Sequence, residues 1–156
     1  MWRALAIDEK LFGPSHPKVA IRLNNLAGLL ESTNRLEQAE PLMRRAVKIL
    51  ENCEDDRAGS YAAALNNLGG LLKATNRMEE AEPLMRRALE IDEQLFGPDH
   101  PNVAVDLNNL AQLLGATRRI KKARPLMQRA VDILEVNLGA EHPKSQTVRK
   151  NLEALK

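Results

Sequence analysis

Four kinds of side chain in this 156-residue sequence could do chemistry: three histidines, one cysteine, paired arginines and paired asparagines. His16, His100 and His142 could bind a metal or move protons if they converged. Each instead precedes a proline, 42 or more residues from the next, which predicts a turn or helix-capping role. Cys53 is followed by Glu54, Asp55 and Asp56, acidic neighbours that disfavour a thiolate. Arg44-Arg45, Arg86-Arg87 and Arg129 could form a basic stripe for nucleic acid. Glu40, Glu82 and Glu90 stand close by, so salt bridges on solvated helices are expected instead. Asn24-Asn25, Asn66-Asn67 and Asn108-Asn109 each offer amide donors and acceptors. Such pairs can hold the backbone of another chain or tie together the helices that carry them. No phosphate-binding glycine loop, paired zinc motif or nucleophile elbow is present. Hence no catalytic residue, metal or cofactor is expected.

The composition narrows the classes further. Hydrophobic residues make up 44% and charged residues 28%, too mixed for a membrane protein and too apolar for a disordered chain. No apolar run reaches the roughly 18 residues of a membrane span, and Met1 to Lys10 lacks the stretch of a secretory leader. Lys+Arg 23 against Asp+Glu 21 gives no reason to expect a polyanion. Aromatic residues at 3% leave little for base stacking. No nucleic acid and no membrane are expected as partners. The lone cysteine fits a reducing, cytoplasmic setting.

The elements that carry these residues follow from an internal period. Leu23-Asn24-Asn25-Leu26 returns at Leu65 and at Leu107, 42 residues apart each time. Ala39-Glu40-Pro41-Leu42-Met43-Arg44-Arg45-Ala46 returns from Ala81 and, drifted, from Ala123. Leu11-Phe12-Gly13-Pro14-Ser15-His16-Pro17 returns from Leu95, with a third version at Leu138. Each period holds two helical patterns. Ala20, Leu23, Leu26, Ala27 and Leu30 mark helix A; Leu36, Ala39, Met43, Ala46 and Leu50 mark helix B. Thr33-Asn34-Arg35, Thr75-Asn76-Arg77 and Thr117-Arg118-Arg119 break A from B. Gly13, Gly97 and Gly139 break B from the next A. Pro41, Pro83 and Pro125 sit early in helix B and are structural. In the middle copy, Asp55 or Asp56 is expected to replace histidine as the cap. A narrow helix pair cannot bury its apolar face alone, so neighbouring pairs must stack.

These residues resemble a tetratricopeptide repeat, in a 42-residue form longer than the usual unit of about 34. Leu-Asn-Asn-Leu-Ala, Glu-Ala-Glu-Pro-Leu and Gly-Pro-Asp-His-Pro-Asn-Val-Ala together resemble the repeats of kinesin light chains. The resemblance implies an all-α, right-handed solenoid of antiparallel helix pairs. Residues 1–14 form a half repeat containing helix B only. Residues 15–56, 57–98 and 99–140 are full repeats, and 141–156 is a capping helix A. Leu5, Ile7 and Leu11 then face a missing partner, whereas the last helix is polar enough for a cap.

The resemblance also implies a function: a non-catalytic scaffold that holds a peptide or protein segment along the concave A-helix face. Asn25, Asn67 and Asn109 fall at the ligand-facing position, each preceded by a second candidate, Asn24, Asn66 and Asn108. One turn away lie Ile21, Gly28, Ala63, Gly70, Val105 and Gln112. Lys73 is the one basic residue expected on that face. A family clamp for C-terminal carboxylates needs Lys where Ile21 and Val105 stand and Arg where Asn109 stands, so that ligand is not expected. The late helix-B positions that help kinesin light chains hold acidic cargo are Leu50, Asp92 and Leu134 here. The alternative is an architectural spacer, or a homo-oligomer formed through the exposed N-terminal half repeat.

Overall fold

The computed structural model describes residues 2–52 and 57–155. Among them are eight helices and no strand. The chain divides into two compact units, Met1–Arg77 and Met78–Lys156. The first carries α1 (Trp2–Phe12), α2 (Pro17–Ser32), α3 (Leu36–Glu51) and α4 (Ala58–Ala74). The second carries α5 (Met78–Phe96), α6 (Pro101–Ala116), α7 (Ile120–Leu138) and α8 (Pro143–Ala154).

In the first unit, α2 and α3 form the central pair. Leu23, Leu26 and Leu30 pack against the α3 side with Ala39, Met43 and Ala46, all at most 2% exposed. The alanines let the helices approach closely, and the leucines fill the space beside them. The chain reverses in three residues because Asn34 adopts a left-handed conformation, φ 56°, which asparagine tolerates better than most residues. Arg35 N–H then reaches back to the Leu30 carbonyl at 2.8 Å. The hydroxyl of Thr33 donates to the Leu30 carbonyl at 3.0 Å, so the helix end is satisfied.

Helix α1 packs on α2, and α3 on α4. Leu5 is buried, which corrects the expectation that it faces a missing partner: it lies on the side of α1 turned to α2. Ile7 and Leu11 are exposed as expected, at 50% and 69%. Cys53 and the expected cap at Asp55 or Asp56 lie outside the described residues.

The second unit repeats the plan around α6 and α7. Leu107, Leu110 and Leu114 meet Ala123, Met127 and Ala130 with no exposure at any of the six. Here the left-handed turn residue is Arg118, φ 58°, a costlier choice than asparagine. Helix α5 packs on α6, and α8 on α7. Leu155 folds over the end of α6, where a Cβ on Gly115 would lie 2.7 Å from its Cδ2. The Leu155 carbonyl accepts from Arg124 at 3.0 Å.

Gly13, Gly97 and Gly139 hold φ near 90° in the linkers that precede α2, α6 and α8. Only glycine enters that region without strain. Three residues later a histidine caps the next helix. The Nδ1 atoms of His16, His100 and His142 accept the backbone N–H of Lys18, Asn102 and Lys144 at 3.1, 3.1 and 3.2 Å. Pro17, Pro101 and Pro143 open those helices, where a missing N–H costs nothing.

Candidate functional site

A cleft of about 370 Å³ opens at the joint between α1 and α2. Asp8 and Phe12 come from the end of α1; Lys18, Ile21, Arg22 and Asn25 come from one side of α2. Helical spacing places these four together, and the Gly13 turn folds α1 back so that its last turn closes the cleft. Asp8 Oδ2 accepts from Arg22 Nε at 2.7 Å. Lys18 Nζ stands 4.4 Å above the Phe12 ring. That ring stacks on His16 at 5.0 Å between centroids. Ile21 is 41% exposed, a large apolar surface on an otherwise polar wall. The cleft therefore has an apolar floor and two cations against one carboxylate. Such a surface can hold a side chain with an apolar body and an anionic tip. The sequence placed Ile21 and Asn25 on this face but missed Lys18 and Arg22. Their signal was the opposite charge at Asp8, fourteen residues before Arg22.

The asparagines of the A helices are bonded to one another within each unit. In the first, Asn67 Nδ2 on α4 donates to Asn24 Oδ1 on α2 at 3.2 Å. In the second, Asn151 Nδ2 on α8 donates to Asn108 Oδ1 on α6 at 2.9 Å. The second asparagine of one A helix thus reaches the first asparagine of the previous A helix, 43 residues back. Asn151 was not singled out from the sequence, although it stands one period after Asn109. Asn108 Nδ2 also donates to Asn109 Oδ1 at 3.1 Å, and Gln112 Nε2 to Asn108 Oδ1 at 3.3 Å. These rungs give the pairs an architectural role. They leave capacity for more, since each amide offers two N–H groups and two acceptor positions.

The other expected residues are distributed along the same helices. Asn25, Asn67 and Ala63 are exposed; Asn66, Gly28 and Gly70 are half-buried. A Cβ built on Gly28 or Gly70 would meet nothing within 4 Å, so packing in the fold does not require either glycine. Val105 is 40% exposed, and Asn108, Asn109 and Gln112 are half-buried. Lys73 is half-buried near the end of α4, and burial pushes its ammonium pKa down. Glu31, its equivalent on α2, is pushed up for the same reason.

The remaining polar candidates serve the fold. Each histidine caps a separate helix. Glu40 accepts from Arg44 at 2.8 Å and from Arg77 at 2.7 Å. Glu82 accepts from Arg86 at 2.8 Å and from Arg119 at 2.6 Å. These arginines hold both carboxyls below the usual range, Arg44 foremost for Glu40 and Arg119 for Glu82. Arg45 donates to Glu9 at 2.6 Å and to the Pro14 carbonyl at 2.8 Å. Arg129 does the same with Glu93 and Pro98 at 2.6 and 2.7 Å. Arg87 pairs with Glu90 at 3.1 Å.

Among the described residues, no helix is long and apolar enough to cross a membrane. Comparison with curated proteins finds no match. Solved structures do match. A point variant of a Podosopora anserina kinesin-light-chain-type protein with nearly identical TPR-like repeats superposes with a TM-score of 0.82 at 21% identity. The match covers 99% of this chain and 73% of that one. BtubC (BKLC) from P. vanneervenii superposes with a TM-score of 0.85 at 26% identity, covering 99% of this chain and 61% of that one. The tetratricopeptide repeat family model matches residues 3–52 and 60–152. With the helix pairs, small-residue seams and repeating joints described above, this chain belongs to the tetratricopeptide repeat family.

Proposed function

We propose that the chain is a non-catalytic, cytoplasmic docking module that holds an extended protein segment against its A helices, with the α1–α2 cleft taking one side chain. Tetratricopeptide repeats mediate protein–protein interaction as a family, and their fold is a scaffold rather than a catalyst. The observation that carries the reading is Ile21, 41% exposed on the cleft floor beside Asn25 and the charged rim. An exposed apolar side chain within reach of amide and guanidinium donors suits a peptide side chain above and a peptide backbone alongside. Asn25 and Asn67 add sequence-tolerant grip, while Gly28 and Gly70 leave room for a close backbone.

The test is a peptide-display selection on the folded chain, counter-selected with Ile21→Arg/Asn25→Ala. A shared motif lost from the double variant is expected. Enrichment that ignores both substitutions, or none at all from a folded chain, would overturn the reading.

Self-association is favoured by a separate observation. Ile7 is 50% exposed, whereas its equivalents Ile49 and Ile133 are 9% and 4% exposed. A mass that rises with concentration and returns to the monomer in Ile7→Glu would support that reading over the first. A mass independent of concentration would remove it.

A further inference from the structure

Charge is nearly balanced over the whole chain, and that balance hides a local reversal. One stretch returns in every repeat, from the left-handed turn residue to the residue before the helix-B proline or its acidic equivalent. Residues 34–40 carry one cation and two acids, and residues 76–82 one cation and three acids. Residues 118–124 read Arg-Arg-Ile-Lys-Lys-Ala-Arg, five cations and no acid. Glu79 and Glu80 of α5 thus become Lys121 and Lys122 of α7, and the acceptors Glu40 and Glu82 become Arg124.

Local stability argues against this choice. The start of a helix carries partial positive charge and favours acids. Helix α3 has Glu37 in its first turn and α5 has Glu79 and Glu80, whereas α7 has no acid there. Lys121 and Lys122 add charge of the same sign. Arg118 holds φ 58° where asparagine stands in the other two repeats. Arg119 is engaged by Glu82 at 2.6 Å. Arg124 donates to the Leu155 carbonyl at 3.0 Å, a neutral acceptor that leaves its charge uncompensated. Arg118, Lys121 and Lys122 are exposed, and none of the three has a side-chain hydrogen bond or ion pair among the described residues. Several local rules broken at one place, with no return inside the chain, mark a surface shaped by something outside it.

The surroundings narrow that partner. Residues 116–128 include no exposed large apolar side chain that could enter a bilayer. They include no aromatic ring on which a base could stack. The patch is on the order of 10 Å long at the helical rise per residue, too short for a row of backbone phosphates. An extended protein chain brings up alternate side chains about every 7 Å. Two or three carboxylates therefore span the patch, each able to accept charge-assisted hydrogen bonds from lysine or arginine.

We propose that Arg118, Lys121 and Lys122, with Arg124 at their edge, form a docking patch for an acidic segment of a partner protein. The patch lies on the turn into α7 and on that helix's first turn, not on the A-helix face. It stands whether or not the A helices hold a peptide.

The test titrates the full chain at low salt with a fluorescent oligoglutamate peptide, alongside its oligoglutamine counterpart. Binding of the glutamate peptide that falls steeply with salt is expected. Lys121→Glu/Lys122→Glu installs the pair that α5 carries at the same place, and it should weaken binding by at least about tenfold. If that variant does not fold, Lys121→Gln/Lys122→Gln must show the same loss in direction. Arg3→Glu/Lys10→Glu makes an equal change in net charge on α1 and should keep the binding. Ile21→Arg/Asn25→Ala should keep it too, so this proposal and the A-helix reading fail separately. Arg118→Asn should melt higher yet bind the peptide more weakly, the trade expected where a strained residue is held for a ligand. No binding to the folded chain, equal binding of the glutamine peptide, or an α7 variant that binds as the wild type does would overturn the proposal. So would phosphatidylserine vesicles or duplex DNA that bind through the same two lysines where the peptide does not.

Discussion

The two units can be laid over each other by adding 84 to a residue number, and they agree at some positions and part at others. Arg45 with Glu9 and Pro14 matches Arg129 with Glu93 and Pro98 to within 0.1 Å. The Asn24–Asn67 rung matches Asn108–Asn151, and the His16 cap matches His100. By contrast, Arg22 becomes Asp106, Lys18 becomes Asn102 and Asn34 becomes Arg118. Interactions that return close a linker or register one A helix on the next. Positions that part are released from that demand, and they are where a groove can differ from one unit to the other. Lys18 and Arg22 of the α1–α2 cleft belong to this second group, whereas Ile21 at 41% and Val105 at 40% exposed stay alike.

The largest expected effects test the positions that agree. Met43 and Met127 are both fully buried at the same place in their helix pairs. Replacing either with alanine should destabilise its unit by about 3 kcal/mol, the usual range for a large-to-small core change. Denaturant unfolding monitored by hydrogen exchange in each unit would check this. Costs that differ by more than about 2 kcal/mol would mean that equal burial hides unequal packing, and the superposition would lose its meaning.

Next come the bridging arginines. Arg45→Ala and Arg129→Ala each remove a carboxylate pair and leave a proline carbonyl without its donor. The guanidiniums are 38% and 37% exposed, so the pair term is screened. About 1–2 kcal/mol is expected from each, mostly from the charged hydrogen bond to the carbonyl. Lysine at either place should recover less than half, because it cannot span both acceptors. Full rescue by lysine would show that charge, not the fork, closes the linker.

How far the sequence could be read follows the same division. The period located helix pairs, glycine linkers, histidine caps and the buried Ala, Leu and Met positions, because each returns with the spacing that its geometry demands. Asn24 and Asn67 were legible as a ladder, but not as partners. A bond 43 residues long depends on the offset between neighbouring A helices, which no single helix encodes. Lys18 and Arg22 were missed because their place is set by how α1 folds over α2. Leu5 was misread because α1 has two apolar sides and the pattern does not say which one α2 covers.

A smaller effect tests a departure directly. Arg118 holds φ 58° where Asn34 and Asn76 hold 56° and 61°. Asparagine is better suited to this region, so Arg118→Asn should stabilise the second unit by about 0.5–1 kcal/mol. The reverse change, Asn34→Arg, should cost the first unit a similar amount. A thermal melt would read both. If Arg118→Asn destabilises, the arginine side chain contributes more to the α6–α7 turn than its backbone loses there.

The smallest effect comes from the carboxylates that both units share. Arg44 and Arg77 hold Glu40 down; Arg119 and Arg86 hold Glu82 down. A carboxyl with a lowered folded pKa stabilises the fold above its unfolded value and loses that contribution as pH falls through the folded one. Acid should therefore weaken both units through these sites. Because the arginine partners are 38–45% and 35–47% exposed, each site should contribute under about 1 kcal/mol. Glu40→Gln and Glu82→Gln should each flatten the acid limb of a stability-versus-pH curve. If either variant left the acid limb unchanged, the arginine contacts at that glutamate would contribute nothing to the pH dependence. Equal flattening in the two units would make these contacts part of what the units share; unequal flattening would place them among the positions that part.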